Sequence, residues 1–284
     1  MGMVIVAVAI GTFRDQIVQR LTAESSARTT QSADDKADRE GPAFASNIRR
    51  DTNSVDHLQP IIFNTPFSLK EKNELLSLQL HTGEDPITSF AKSHRGYGVN
   101  ELGVNYPGKE VYGYSEAWLV DILSDRKASL VINGMHIKGL HCAPAKANTV
   151  ITYQGQGGGS YEGMFFDLTR STSNPLIAGD EESHFGKPYF RYKKIDLGNG
   201  AAPGGLRIEV ASGTKDCNWT AFEVTYADSE GKHTQEITNN GKDFAVHGFT
   251  AKPAQVFRVF TTAPFVKECT LTSQGHYKCQ RKGW

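Results

Sequence analysis

The sequence has no excess of charge of either sign. Lysine and arginine together number 31, aspartate and glutamate together also number 31, and the formal net charge is zero. A neutral balance gives no electrostatic support for binding to nucleic acid, so we expect no nucleic-acid partner. Long hydrophobic runs are also scarce. The apolar run from Met3 to Phe13 is shorter than the roughly 20 residues that a membrane-spanning helix needs.

Two interpretations of the N-terminus follow from this short run. Residues 1–24 are either a hydrophobic leader or the end of a membrane anchor, or they form a buried strand that leads into a helix from Thr12 to Glu24. Residues 25–56 are polar, charged and poor in large apolar side chains. Because such a composition buries too little surface to offset its ordering entropy, this segment is predicted to be a linker.

Cysteine is also scarce, with four residues in 284. Their spacing matches no zinc site. Cys269 and Cys279 flank a predicted hairpin, where a disulfide is geometrically easy, and Cys142 and Cys217 would form the second pair. The alternative is four buried free thiols. Disulfides would indicate an oxidising compartment, and hence an extracellular or cell-surface protein that is membrane-anchored if residues 1–24 are an anchor.

Catalytic motifs are missing as well. The glycine-rich stretch Gln154 to Gly163 has no lysine followed by serine or threonine, so it is not a phosphate-binding P-loop. No nucleophile elbow, Ser–His–acid set or local pair of carboxylates is present. We therefore predict no cofactor apart from the structural calcium considered below.

What the sequence does contain is a series of short runs rich in β-formers and separated by turns, after one clear helix between Pro66 and His81. Ser68 is its predicted cap, with Leu69, Leu76 and Leu80 on its apolar side, which Leu75 and Leu78 widen. Many strands without intervening helices predict a mainly β fold, a β-sandwich or jelly roll. Alternating patterns predict two half-buried strands. Their buried sets are Leu206, Ile208 and Val210 in one strand, and Phe222, Val224 and Tyr226 in the other.

The C-terminal part resembles the discoidin domain, also called the coagulation factor V/VIII type C domain, which has a galactose-binding-like jelly roll. The segments that carry the resemblance are Ala178-Gly179-Asp180, Ile195-Asp196-Leu197-Gly198, Leu206 to Val210, Trp219 to Gly231, and Ala254 to Phe260. On this reading the chain divides into a β-rich domain at 57–165 and a discoidin-like jelly roll at 166–284. Trp219 would begin a core strand that ends in the hairpin turn before Lys232.

The resemblance also implies candidate site residues. The acidic turn at Asp180 would contribute to a structural calcium site, and the alternative is a solvated acidic loop. His184, Arg191 and Trp219 are residue types with which members of this family bind sugars, because polar donors pair with hydroxyl groups and an aromatic face packs on the ring.

These expectations favour a non-catalytic, extracytoplasmic adhesion or recognition protein that binds a glycan or the lipid headgroups of a membrane surface. One alternative is a polysaccharide-acting enzyme, a lyase or hydrolase, with its cleft formed by Tyr, His, Arg or Glu residues of the segment 94–195. Another is a pilin-like or envelope structural subunit whose apolar N-terminus packs against neighbours. Assembly into a homo-oligomer is left open by the sequence.

Overall fold

The computed structural model describes residues 40–51, 59–79, 86–101, 105–106, 109–110, 114–153, 163–169, 174–179, 183–201, 204–260, 265–271 and 277–279. Three helices lie in these ranges: α1 (Leu69–Ser77), α2 (Pro86–Ser93) and α3 (Tyr189–Tyr192). The strands are β1 (Ala45–Arg50), β2 (Ile61–Phe63), β3 (Tyr97–Gly98), β4 (Asn100–Glu101), β5 (Asn105–Tyr106), β6 (Lys109–Glu110), β7 (Tyr114–Leu123), β8 (Leu130–Lys138), β9 (His141–Pro144), β10 (Thr149–Tyr153), β11 (Gly163–Asp167), β12 (Leu176–Ile177), β13 (Ile195–Leu197), β14 (Gly204–Ala211), β15 (Lys215–Trp219), β16 (Ala221–Asp228), β17 (Gly231–Thr238), β18 (Phe244–Val246), β19 (Gln255–Phe260), β20 (Phe265–Leu271) and β21 (Tyr277–Cys279).

The strands form four sheets and one small β5–β6 pair. Sheet A has the order β1-β7-β14-β11-β12, with β4 also paired to β7. Sheet B has the order β21-β20-β19-β10-β2-β3, sheet C the order β13-β8-β16-β17, and sheet D the order β18-β15-β9. Most pairings are antiparallel, but β10–β19 and β11–β14 are parallel. The prediction of a mainly β protein is therefore confirmed, and its layers are those of a β-sandwich.

The main core lies between sheet A on one side and sheets C and D on the other. Its buried side chains come from all three sheets and include a cluster of large aromatic rings. The rings of this cluster are Trp118, Phe166, Trp219, Phe222 and Phe244. Burial of this much apolar surface is the main favourable term in folding.

A second core lies where α1 and α2 cover sheet B. Phe63, Phe67, Phe90 and Phe257 meet there with ring centroids between 4.7 and 6.4 Å apart. Helix α1 begins after Ser68, whose side chain and that of Glu71 form a reciprocal capping box. The predicted cap is confirmed, and on the predicted apolar side Leu76 and Leu78 pack against this core. Leu80 lies outside the described residues, and the position of Leu69 needs a correction. Leu75 is fully buried, whereas Leu69 is 75% exposed, because it stands in the first turn just after the cap.

The predicted domain boundary at 165/166 falls inside β11, Gly163–Asp167. Strands β7 and β8 from the first segment pair with β14 and β16 from the second. The two predicted segments therefore share their sheets and their main core.

The predicted linker at 25–56 needs a correction at its C-terminal end. Ala45–Arg50 forms β1, which pairs with β7 at the edge of sheet A, and Phe44 and Ile48 are buried in the main core. Two well-placed apolar side chains and a full ladder of backbone hydrogen bonds order this polar segment. The predicted leader, anchor or helix at 1–24 lies outside the described residues. No helix within the described ranges is long and apolar enough to cross a membrane.

The stretch Asn218 to Lys232 contains a strand break as well as the predicted hairpin. Trp219 ends β15 instead of beginning the next strand, and β16 starts at Ala221. Phe222, Val224 and Tyr226 are buried as predicted, and Asp228 pairs with Gly231 across a tight turn. Gly231 has a φ of 135°, a conformation that favours glycine. In β14 the predicted inner residues Leu206, Ile208 and Val210 are likewise buried.

Both predicted disulfides are present. Cys142 on β9 is bonded to Cys217 on β15, and Cys269 on β20 is bonded to Cys279 on β21. In each case the two cysteines are direct partners across an antiparallel strand pair. Two disulfides fit an oxidising, extracytoplasmic compartment.

Candidate functional site

Two of the predicted ligand residues converge on one exposed aromatic ring. His184 stacks on Tyr192 with ring centroids 4.1 Å apart and an interplanar angle of 24°. The guanidinium of Arg191 lies 5.8 Å from the centre of the same ring. His184 and Arg191 are exposed, and Tyr192 is 43% exposed. We call these three residues the Tyr192 patch.

The patch stands on a segment that is firmly attached to the sandwich. Tyr189 is buried in the main core, and its backbone N–H donates to the carbonyl of Pro175 at 2.8 Å. The N–H of Gly186 donates to the carbonyl of Ile177, and the N–H of Ile177 donates to that of Lys187. These bonds fix the segment against β12. His184 has a φ of 72°, so the chain turns in a left-handed conformation at the residue that stacks on Tyr192.

The third predicted ligand residue, Trp219, is not part of this patch. Its side chain is only 1% exposed and packs on Trp118, Phe222 and Phe244. A ring enclosed on all these sides cannot present a face to a ligand, so its predicted role is corrected to a core residue. Its indole N–H has no hydrogen-bond partner within the described residues.

The predicted calcium ligand, Asp180, lies outside the described residues. Within the described ranges, no group of three or more His, Cys, Asp or Glu side chains is arranged to hold a metal ion. A calcium site at the acidic turn therefore stays a prediction.

A depression of about 130 Å³, lined by both polar and apolar residues, opens beside β1, β4 and the first half of β7. Its wall includes Arg50, Asp51, Gln59, Asn100 and Glu116. We call this depression the Glu116 pocket. The carboxylate of Glu116 is buried, with 4% exposure, and it has three hydrogen-bond or ion-pair contacts with other described residues. Oε1 accepts from the backbone N–H of His247 at 3.1 Å and from its Nδ1 at 2.6 Å, and Oε2 lies 2.9 Å from Arg50 Nη2.

His247 reaches this carboxylate because the chain after β18 runs close to β15. A Cβ on Gly248 would lie 2.3 Å from the carbonyl oxygen of Lys215, so only glycine fits there. The N–H of Gly248 donates to Asp216 at 3.0 Å, and Tyr97 stacks on the imidazole with centroids 4.4 Å apart. The hydrogen bond to Glu116 raises the pKa of His247 above its usual value, and burial opposes this only in part.

A second group of paired charges lies on the other face of sheet A. Arg207 Nε donates to Asp51 at 2.9 Å, and Nη1 donates to Glu209 at 2.7 Å. The hydroxyl of Ser115 donates to the other oxygen of Glu209. Burial alone would lower the pKa of Arg207, but Glu209 and Asp51 outweigh it and raise that pKa. Asp51 therefore reaches the pocket wall already paired with a cation.

Sequence reasoning missed the Glu116 pocket. One signal for it was available, since Glu116 has the same parity in β7 as Trp118, Val120 and Ile122, and so falls on the core face. A carboxylate at such a position requires a partner. Arg50 lies in the segment predicted to be a linker, and no sequence pattern distinguished His247 from the other histidines. Neither residue was therefore expected to contact Glu116.

A scan against protein-family models found no match for this sequence, and a search of curated proteins found none either. The discoidin-like resemblance therefore stays a prediction, and functional proposals depend on the geometry of the two sites.

Proposed function

We propose that this protein is an extracytoplasmic carbohydrate-binding protein without catalytic activity. The observation that carries the proposal is the convergence of His184 and Arg191 on the exposed ring of Tyr192. The two disulfides support the compartment, because they persist in oxidising surroundings.

The residue types of the patch suit a sugar. The stacked rings of His184 and Tyr192 provide an apolar surface with polar atoms at its edge, and such aromatic groups combine ring packing with hydrogen bonding. The guanidinium of Arg191 carries several donors in a fixed plane, which can pair with neighbouring hydroxyls or a sugar carboxylate. Attachment of the segment to β12 and to the core holds these groups in place before any ligand arrives, which lowers the entropic cost of binding.

A glycan array, followed by calorimetry with the best-bound oligosaccharide, tests this proposal. Tyr192→Ala should weaken binding about tenfold, the upper range for one aromatic contact. Phe265→Ala is the matched control, because Phe265 is also an exposed aromatic residue, 36% exposed, on β20. Binding only to vesicles of anionic lipid, or equal affinity of Tyr192→Ala and wild type, would refute carbohydrate recognition by this patch.

A polysaccharide-acting enzyme is the second candidate, and one observation favours it. Glu116 and Tyr97 lie in the segment 94–195 and contact His247, whose pKa is raised. Paired acid–base groups beside a depression are a recognised feature of active sites. Release of new reducing ends or unsaturated ends from a polysaccharide by wild type, with loss of release in His247→Ala, would support catalysis and contradict our first proposal.

The third possibility, a pilin-like or envelope subunit, depends on residues 1–24. These lie outside the described residues, so this alternative stays a prediction.

A further inference from the structure

The Glu116 pocket is separate from the Tyr192 patch. The pocket lies beside β1 and β7, whereas the patch is attached to β12 at the other edge of sheet A. None of the residues that line the pocket belongs to the patch. Whatever the pocket does can therefore be tested independently of the proposed function.

The charges around the pocket compensate one another. When His247 is protonated, three cations, Arg50, Arg207 and His247, contact three carboxylates, Asp51, Glu116 and Glu209. An anionic ligand would have to compete with Glu116 for Arg50, and a cationic ligand would have to compete with Arg207 for Asp51. Breaking a partly buried ion pair is costly, because it leaves the remaining charge without a partner. The pocket therefore disfavours a ligand of either charge.

The remaining polar groups match a ligand with many hydroxyls. The side-chain amides of Gln59 and Asn100 lie in the wall, with Gln59 Nε2 donating to Asn100 Oδ1 at 2.5 Å. Amides carry both donors and acceptors, as hydroxyl groups do. The side chain of Arg50 is 43% exposed, and its contacts within the described residues run through Nη2 to Glu116 and to the carbonyl of Gly98.

The geometry is also pre-formed. Glu116 fixes Arg50 on β1 and His247 after β18, Arg207 fixes Asp51, and the Gln59–Asn100 bond joins the segment before β2 to β4. A volume of about 130 Å³ is smaller than the roughly 300–1,000 Å³ of sites for drug-sized ligands. It suits a single small unit instead of a long chain.

We infer that the Glu116 pocket is a second binding site, which takes one uncharged sugar unit or a polyol of similar size. Its donors and acceptors are fixed, and its charges are balanced before the ligand enters. Recognition then depends on hydroxyl groups alone.

The test is a titration followed by two-dimensional ¹H–¹⁵N NMR. The probes are the methyl glycosides of glucose, galactose and mannose, each paired with the corresponding uronic acid, which differs by one carboxylate. The titration extends to about 50 mM, well above a millimolar dissociation constant. We expect at least one neutral glycoside to shift the side-chain amide signals of Gln59 and Asn100 saturably, and its uronate to bind several-fold more weakly.

Variants locate the site. Asn100→Ala should weaken binding of that glycoside about tenfold, the loss expected for one hydrogen-bonding side chain. Asn133→Ala is the matched control, because Asn133 is exposed on β8 in a different sheet. Tyr192→Ala should leave the affinity unchanged.

Four results would overturn the inference. These are the absence of saturable shifts with all three glycosides, a uronate that binds as tightly as its neutral partner, shifts confined to residues outside the pocket, and unchanged affinity in Asn100→Ala. The spectrum of each variant also shows whether it is folded, so lost binding in Asn100→Ala with a preserved spectrum reports on the pocket itself.

Discussion

The two halves of β7 are buried in different ways. In the second half, Val120 and Ile122 are each 1% exposed and face the main core, while Asp121 and Leu123 face outward. In the first half, Ser115, Glu116 and Ala117 are all buried, so both faces of the strand are covered. The second half follows the ordinary rule of one apolar and one polar face. The first half places a carboxylate and a hydroxyl at buried positions, where other protein groups form hydrogen bonds with them.

This difference indicates that the first half of β7 stabilises the fold less than the second half does. Apolar burial at Val120 and Ile122 stabilises the fold directly. Glu116 stabilises the fold little by comparison, because the free energy of its contacts with Arg50 and His247 must first offset the cost of desolvating its carboxylate. A buried polar cluster that an apolar core could replace is expected at functional sites, where local rules of folding are broken.

The largest expected loss of stability comes from placing a carboxylate in the apolar second half of β7. Val120→Asp places a carboxylate on the core face without a cation beside it, and should cost several kcal/mol, enough to unfold a domain of typical stability, about 5–15 kcal/mol. Circular dichroism and urea denaturation would measure this loss. Asp121→Asn, one residue later on the exposed face, should change stability by only about 0.5 kcal/mol. Equal losses in the two variants would mean that the alternation in β7 has been assigned wrongly.

Much of the fold that follows the ordinary alternation of apolar and polar faces could be predicted from sequence. Period-two patterns gave the buried faces of β14 and β16, because side chains alternate strictly along a strand. The short separation between Cys269 and Cys279 indicated one disulfide and left Cys142 and Cys217 as the other. Both inferences depend on local geometry.

The polar cluster around Glu116 could not be predicted in the same way. Glu116 and His247 are 131 positions apart, and no local pattern brings them together. Arg50 belongs to a segment whose composition indicates a linker, and its order depends on pairing with β7. Trp219 was predicted as a ligand residue because sugar-binding members of the discoidin family use aromatic side chains of this type, and residue type alone does not distinguish a buried ring from an exposed one. Of the candidate site, only the exposed positions His184 and Arg191 were foreseen.

A smaller loss of stability is expected from removing the charge of Glu116 in the first half of β7. Glu116→Gln deprives Arg50 and His247 of their carboxylate, and should destabilise the protein by about 2 kcal/mol, since hydrogen bonds to charged groups contribute roughly 1.5–3 kcal/mol. Urea denaturation at pH 6 would show it. Glu223→Gln is the matched control. Glu223 also pairs with a histidine and a cation, His136 at 3.0 Å and Lys138 at 3.5 Å, but those partners are 42% and 49% exposed. Its loss should be about 0.5 kcal/mol. Similar losses from the two variants would show that burial of Glu116 adds nothing to its pairing.

The smallest effect, and the most specific, is the pH dependence of the same contact. Glu116 raises the pKa of His247 in the folded protein above 6.5, the usual value for a histidine side chain in an unfolded chain. A raised folded-state pKa means that the folded protein binds this proton more tightly. The resulting stabilisation is complete below pH 6.5 and is lost as the pH rises through the folded-state pKa. The other charged groups around the ring act in both directions, because Asp216 raises this pKa and Arg50 lowers it.

The free energy of unfolding of wild type minus that of Glu116→Gln should therefore be largest near pH 5.5 and shrink toward pH 8.5, since only wild type retains the buried carboxylate. An NMR titration of the His247 ring protons checks the cause directly, because its midpoint should lie above 6.5 in wild type and move down in Glu116→Gln. A midpoint below that value in wild type, or a stability difference that grows with pH, would show that the imidazole in the folded protein is mainly neutral. In that case the first half of β7 would carry an excess negative charge, and the charge balance that favours an uncharged ligand in the Glu116 pocket would not hold.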